Sequence, residues 1–280
     1  MATVAPDLLL QGFALQTADT PGGAVQFRHA GGLPAAQATH VLLHGIGSAS
    51  ASWVAQLHAA TLHADCSVLA WDAPGYGDST PLEPAHPTAQ DYAERLWAWL
   101  DTLHATAPIV LVGHSLGALM AARAACIAPQ RVSKLLLLAP ARGYGTALAA
   151  QRDQKLADRL ANLHSLGPVG MAKKRGAAML SSSATTEQVH FIQSVMAQIK
   201  PQGYTQAAHM LSQGDLSADL AQVRCPIAVA SGSADTITPI EACQAVAAQA
   251  HVDWFDLGAV GHACPLEASD TVTALLGLSN

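Results

Sequence analysis

Pro108-Ile109-Val110-Leu111-Val112-Gly113-His114-Ser115-Leu116-Gly117-Ala118-Leu119-Met120-Ala121-Ala122-Arg123-Ala124-Ala125 joins three things in one segment: an apolar run, the pentapeptide Gly-x-Ser-x-Gly and an alanine-rich stretch. It reads as strand, tight turn, helix, the setting in which this pentapeptide is a nucleophile elbow. Such a turn needs small residues on both sides of the serine, because a Cβ at Gly113 or Gly117 would crowd neighbouring backbone. It also lifts the Ser115 hydroxyl out at the sheet edge and aims a helix N-terminus at whatever reacts there.

Upstream, Ala24–Arg28 alternates apolar and polar residues as a half-buried edge strand does. His40–Leu43, Ser67–Trp71, Pro108–Val112 and Lys134–Leu138 read as buried strands. Helical stretches lie between them at Ser52–Leu62, Gln90–His104 and Leu116–Ile127. Apolar strands alternating with helices indicate a parallel sheet covered on both faces. From Thr146 to about Gly214 only helical pattern remains, near Ala149–Leu163, Val169–Leu180, Thr186–Ile199 and Tyr204–Leu211. Strand signal returns at Pro226–Ala230 and Val252–Phe255. That return favours a helical cap over the catalytic face and argues against a separate C-terminal domain. The expected division is a core of 1–142 and 215–280 with a cap of 143–214.

A serine hydroxyl needs a base beside it, and the base needs an orienting carboxylate. In a sheet of this kind the chain order is Ser, then Asp or Glu, then His. Two downstream loops supply them: Asp235 in Ser231–Pro239 and His262 in Val260–Glu267. Each follows a strand, where open parallel sheets place their ligands. Taken singly, Asp235 also fits an Asx turn or a helix N-cap, and His262 a satisfied surface histidine. The tetrahedral oxyanion needs donors. The Leu116 N–H, following the nucleophile, is one. The Ile46 N–H, in His44-Gly45-Ile46-Gly47, is the expected second. That glycine-rich stretch lacks the Gly-Lys-Ser/Thr ending of a phosphate loop and the third glycine of a dinucleotide fingerprint.

Composition sets the outer limits. The chain has 280 residues, half of them hydrophobic and 12% charged, which suits one α/β domain with an insertion. No window has the about eighteen uninterrupted apolar residues of a membrane span, and residues 1–7 carry no basic n-region, so no secretory signal is expected. Net charge is −6 with 14 Lys plus Arg, which disfavours nucleic acid as a partner. The 5 cysteines are scattered and odd in number, as in a reduced, cytoplasmic protein. The 13 histidines form no compact ligand pair, so no metal is expected.

His44-Gly45, Asp72–Ser79, Gly113–Gly117, Gly232-Ser233-Ala234-Asp235 and Gly261-His262 together resemble the α/β-hydrolase superfamily. The resemblance implies an α/β fold with a mostly parallel eight-stranded sheet, helices on both faces and a helical cap inserted after strand 6. It implies Ser115 as nucleophile, His262 as general base and then acid, Asp235 as its orienting partner, and Ile46 and Leu116 as the oxyanion pair. The Asp72–Ser79 loop is structural in the family. Ser115 is not a carboxylate, which argues against haloalkane dehalogenases and epoxide hydrolases. The cap resembles those of carbon–carbon bond hydrolases, enol-lactonases and small carboxylesterases. The carbon–carbon hydrolases commonly carry Trp after the catalytic His, where this chain has Ala263.

The expected activity is cofactor-free hydrolysis of a small ester, lactone or related carbonyl compound. Carbon–carbon or carbon–nitrogen hydrolysis and a non-catalytic ligand receptor are the rivals. The expected partner is a small-molecule substrate, with neither nucleic acid nor membrane. The oligomeric state stays open, a homodimer included. Arg142, directly after a strand end, is a candidate for binding a substrate carboxylate. Lys173-Lys174-Arg175 reads as a solvated helix face rather than an anion site. Trp53, Trp97 and Trp99 read as helix-packing aromatics.

Overall fold

In the computed structural model, residues 5–278 are described. Residues 1–4, part of the segment in which no signal peptide was expected, lie outside the described residues. Eight strands form one sheet: β1 (Gln16–Thr20), β2 (Gly23–Ala30), β3 (His40–Leu43), β4 (Val68–Trp71), β5 (Ile109–His114), β6 (Val132–Leu138), β7 (Ile227–Ser231) and β8 (Trp254–Asp256). Their spatial order is β1-β2-β4-β3-β5-β6-β7-β8. β2 runs antiparallel to both neighbours, and every pair from β4 through β8 is parallel. This is the expected mostly parallel sheet.

The helices are α1 (Pro6–Leu10), α2 (Val54–Ala60), α3 (Ala89–Thr102), α4 (Gly117–Ile127), α5 (Ala149–Arg175), α6 (Thr186–Ala197), α7 (Pro201–Gln213), α8 (Leu216–Leu220), α9 (Ile240–Gln249), α10 (Cys264–Glu267) and α11 (Ser269–Leu276). Strand side chains alternate between two apolar layers, as a period of two dictates. Val41, Leu43, Leu69, Trp71, Leu111, Leu135 and Leu137 join one layer, with Tyr92, Leu96 and Leu100 of α3 and Leu119 of α4. Leu42, Val68, Ala70, Val112, Leu136 and Leu138 join the other, with Val54 and Leu57 of α2 and Val272 and Leu276 of α11.

The insertion between β6 and β7 is helical. It leaves and rejoins the sheet through a narrow neck, where Tyr144 N donates to Leu211 O at 3.1 Å, Gly145 N to Gly214 O at 2.8 Å and Leu216 N to Arg142 O at 3.0 Å. The neck requires Gly143, whose φ is +79° and where a Cβ would collide with the Gly214 carbonyl. Phe191, Ile192 and Val195 of α6 pack into one core layer, and Tyr204, Ala207, Met210 and Leu211 of α7 into the other.

Three local differences separate the structure from the sequence reading. β1 carries no strand pattern in the sequence, because Gln16–Thr20 is polar and mostly exposed, and its pairing makes β2, read as an edge strand at Ala24–Arg28, an interior one. The two helices read as Ala149–Leu163 and Val169–Leu180 extend toward each other and abut at Gly167, where non-helical φ and ψ of 61° and 175° break the path before Pro168. The second of them ends at Arg175 and continues only as a 3-10 turn at Ala177–Met179.

Candidate active site

β5 runs straight into Ser115, whose φ is +52°. A non-glycine residue in the left-handed region costs of order 1–2 kcal/mol. The surroundings hold it there: Ser115 N donates to Leu138 O at 2.9 Å and Ala141 N to Ser115 O at 3.0 Å. α4 starts only two residues on, so a Cβ on Gly113 would strike the backbone of Gly117 and Ala118, and one on Gly117 the Leu43 and His44 carbonyls. The glycines are therefore demanded by the turn, as the sequence suggested.

The structure brings Ser115, His262 and Asp235 together from three different strand ends. Ser115 Oγ donates to His262 Nε2 at 2.9 Å, and His262 Nδ1 donates to Asp235 Oδ2 at 2.7 Å. All three side chains are nearly closed off from solvent: Ser115 is 7% exposed, His262 2% and Asp235 5%. Asp235 sits in the tight loop after β7, where its Oδ1 accepts from Ile237 N at 2.7 Å and Thr238 N at 3.0 Å. The Asx turn at one oxygen and the hydrogen bond to His262 at the other thus coexist in one carboxylate. Thr238 Oγ1 donates to Asp235 Oδ2 at 2.8 Å. Burial pushes the Asp235 pKa up. Hydrogen bonds from His262 and Thr238 and the charge of His262 outweigh it, leaving the carboxyl below its ordinary value. Asp235 is therefore a carboxylate at neutral pH.

Further side chains, which sequence reasoning did not single out, fix the loop that carries His262. Glu267 accepts from Gly261 N at 2.8 Å and from Ser181 N at 3.0 Å, tying the loop to the segment between α5 and α6. Ala263 N donates to Met179 O at 2.8 Å, a second tie. His114 Nε2 donates to the His262 carbonyl at 2.8 Å. Burial, then the charge of His262, drives the His114 pKa down to about 3, so it is a neutral donor. The available signal for Thr238 was its spacing, a hydroxyl three residues after a turn aspartate. Glu267 and His114 gave none, since their roles need the tertiary fold.

Ile46 and Leu116 both line the cavity above Ser115. Among the described residues, neither backbone N–H donates to a protein acceptor. Leu116 is the residue just before the first turn of α4, so its N–H points out of the helix start. The Ile46 N–H is aimed by the partner of the peptide it belongs to. His44 Nδ1 donates to Gly45 O at 2.8 Å, and a trans peptide turns the N–H opposite its carbonyl. His44 Nε2 in turn accepts from Ala73 N at 3.0 Å, and burial holds this imidazole neutral. Tyr76 OH donates to Ile46 O at 2.8 Å. The Asp72–Ser79 loop thus acts as the rear support of the Gly45–Gly47 loop.

The cavity has a volume of about 130 Å³ and lies between the sheet edge and the helical insertion. Its walls are mostly apolar, with Met171, Met179, Ile192, Val195, Met196 and Leu211 contributed by the helical insertion. Arg142 does not fit the role sequence proximity suggested. Its side chain is exposed and outside the cavity wall, because the chain turns away at Ala139, with φ +45°, and at Gly143. The arginines that do line the cavity are Arg159 and Arg175, both partly buried. Lys173 and Lys174 are exposed, in keeping with a solvated face, but their neighbour Arg175 is not part of it. Trp53, Trp97 and Trp99 are buried in the core layers and none lines the cavity.

Among the described residues, no cluster of His, Cys, Asp and Glu could hold a metal ion, and no helix is long and apolar enough to cross a membrane. Residues 41–275 match the alpha/beta hydrolase family. The chain is 33% identical over 215 residues to the pimeloyl-(acyl-carrier protein) methyl ester esterase of Vibrio campbellii, covering 72% of this chain and 78% of that protein. It is 27% identical over 216 residues to the (E)-2-((N-methylformamido)methylene)succinate hydrolase of Acinetobacter baylyi, covering 75% and 77%. Among solved structures, the enol-lactonase of Burkholderia xenovorans superposes with a TM-score of 0.81 at 20% identity, over 94% of this chain and 98% of that one. A thermophilic esterase from Thermogutta terrifontis gives 0.80 at 23% identity, over 94% and 97%. At these identities the structural likenesses speak for the fold.

Proposed function

The chain belongs to the alpha/beta hydrolase family, and from that premise we propose that it is a cofactor-independent serine hydrolase of the carboxylic ester class, acting in the cytoplasm on a small ester, lactone or related carbonyl compound. The observation that carries this reading is His262, hydrogen-bonded to Ser115 Oγ at 2.9 Å on one side and to Asp235 Oδ2 at 2.7 Å on the other. A hydroxyl, an imidazole and an ionised carboxylate in that order convert a poor nucleophile into a competent one.

Ser115 Oγ attacks the substrate carbonyl carbon while His262 Nε2 takes the hydroxyl proton. Asp235 holds the imidazole with its proton on Nδ1 and stabilises the imidazolium that forms. The Ile46 and Leu116 N–H groups receive the tetrahedral oxyanion, an interaction whose loss costs about 3 kcal/mol per donor. His262 returns its proton to the leaving oxygen, and the acyl group stays on Ser115. Water, activated by the same imidazole, then releases the acid. The small, cap-covered cavity keeps bulk water from the first step and restricts the substrate to small molecules.

A hydrolysis panel of short and long acyl esters, lactones, dienones and amides, run beside a Ser115→Ala control, tests the reading. Turnover of esters or lactones by the wild type and its loss in the variant are expected. Equal turnover by both would remove Ser115 from the chemistry. A second reading, hydrolysis at an amide-bearing substrate, is favoured by the likeness to the A. baylyi hydrolase, whose named substrate carries a methylformamido group. Preference for the amide members of the same panel would select it.

A further inference from the structure

Arg159 and Arg175 are the charged side chains in a cavity wall that contains no aspartate or glutamate. That is notable in a chain whose net charge is −6. Among the described residues, neither guanidinium has an ion-pair partner, and neither donates a hydrogen bond to another residue. The other partly or fully buried arginines all have partners. Arg28 donates to Phe13 O, Arg95 to Thr80 O at 3.4 Å, and Arg123, Arg131 and Arg152 pair with Asp219, Asp101 and Asp153. A partly buried guanidinium that faces a cavity and has no counter-charge in the protein keeps its donors free for an anionic ligand.

The geometry of α5 strengthens the point. Arg159 and Arg175 are 16 residues apart on it. In an unbroken helix that spacing would put them roughly 24 Å apart along the axis and about 160° apart around it, on nearly opposite faces. The break at Gly167, φ +61°, uncouples the two arms and lets both side chains reach the same cavity. Both arginines therefore line the cavity that Ser115 also lines, beside Met, Ile, Val and Leu side chains and Tyr144 and Tyr204.

We propose that Arg159 and Arg175 form the specificity site of this enzyme, binding a carboxylate carried by the substrate. The site rests on the serine-hydrolase reading only for the chemistry that follows binding. A planar guanidinium meets a carboxylate through two parallel N–H···O bonds, which fixes orientation as well as charge. The substrate is then an anionic ester, lactone or amide with its carboxylate held in the cap and its reacting carbonyl over Ser115.

Two pairs of esters test this, one for each side of the scissile bond: mono-4-nitrophenyl succinate against 4-nitrophenyl pentanoate, and 4-acetoxybenzoate against its methyl ester. In at least one pair the wild type is expected to prefer the anion in kcat/KM, and Arg159→Gln or Arg175→Gln to cut that preference about tenfold, chiefly through KM. Absence of preference in both pairs, or a preference untouched by the double variant, overturns the proposal. Calorimetry on Ser115→Ala with glutarate reads the site apart from turnover. Binding that is lost when both arginines are changed supports it. Failure to bind, or binding of inorganic phosphate instead, overturns it. Failure of the hydrolase reading looks different: glutarate still binds, but no ester is cleaved and a fluorophosphonate leaves Ser115 unmodified.

Discussion

Asp235→Asn probes how the site controls the direction of proton transfer. Four donors meet the carboxylate: Ile237 N and Thr238 N at Oδ1, and Thr238 Oγ1 and His262 Nδ1 at Oδ2. An asparagine must turn its carbonyl oxygen toward the two backbone N–H groups, because they cannot reorient and an amide NH₂ facing them would leave three donors opposed. Its NH₂ then faces His262 Nδ1. The Thr238 hydroxyl escapes by donating to Ala139 O, 3.1 Å away. The imidazole has one other contact at Nδ1, the Thr238 hydroxyl oxygen at the longer distance of 3.2 Å. Accepting from the asparagine amide at Nδ1 puts its proton at Nε2, where it can no longer take the proton of Ser115. The corresponding substitution in a serine triad lowers kcat about 10⁴-fold, roughly 5.5 kcal/mol of barrier. The assay is kcat for a 4-nitrophenyl ester at neutral pH, with the circular dichroism spectrum as a check that the fold persists. A folded variant retaining more than a tenth of wild-type kcat would refute the proton-directing role of Asp235.

Two further perturbations follow from the same geometry. His44→Phe removes the bond that holds the Gly45–Ile46 peptide, so kcat should fall about tenfold, between the loss of one hydrogen bond and of a whole oxyanion donor; Tyr76→Phe frees the next peptide and should lower kcat less, and the reverse ranking would move the second donor away from Ile46. Away from the site, burial outweighs Arg123 and raises the Asp219 pKa to about 6. The folded state then binds the proton more readily than the unfolded chain, so this group adds stability as pH falls from about 6 toward 4 and withdraws it above. The Tm difference between wild type and Asp219→Asn, followed by thermal melts from pH 8 to pH 4.5, should shift in favour of the wild type on acidification; a pH-independent difference would contradict it.

The parts of this molecule legible in its sequence are those where chemistry and local backbone coincide. Ser115, Asp235 and His262 each sit in a short loop just after an apolar strand, and parallel strands put those loops on one edge. Gly113 and Gly117 announced a turn that only glycines permit. What stayed hidden depends on packing at a distance. Arg142 follows a strand end, yet the left-handed Ala139 and the neck at Gly143 turn its side chain to solvent. Arg159 is an unremarkable member of a helical run, and Arg175 reads with Lys173 and Lys174 as a solvated face, until the break at Gly167 and the packing of the insertion decide what they face. The polar edge strand β1 carries no apolar alternation, and its pairing with β2 alone makes it a strand.

The central claim is that the Ser115 hydroxyl is an activated nucleophile, and covalent capture by a fluorophosphonate followed by peptide mass mapping tests it most directly. The account predicts one adduct per chain, on Ser115, absent from Ser115→Ala and formed far more slowly in His262→Ala. A wild-type protein that stays unmodified at Ser115, or is modified elsewhere at the same rate in all three, would contradict it.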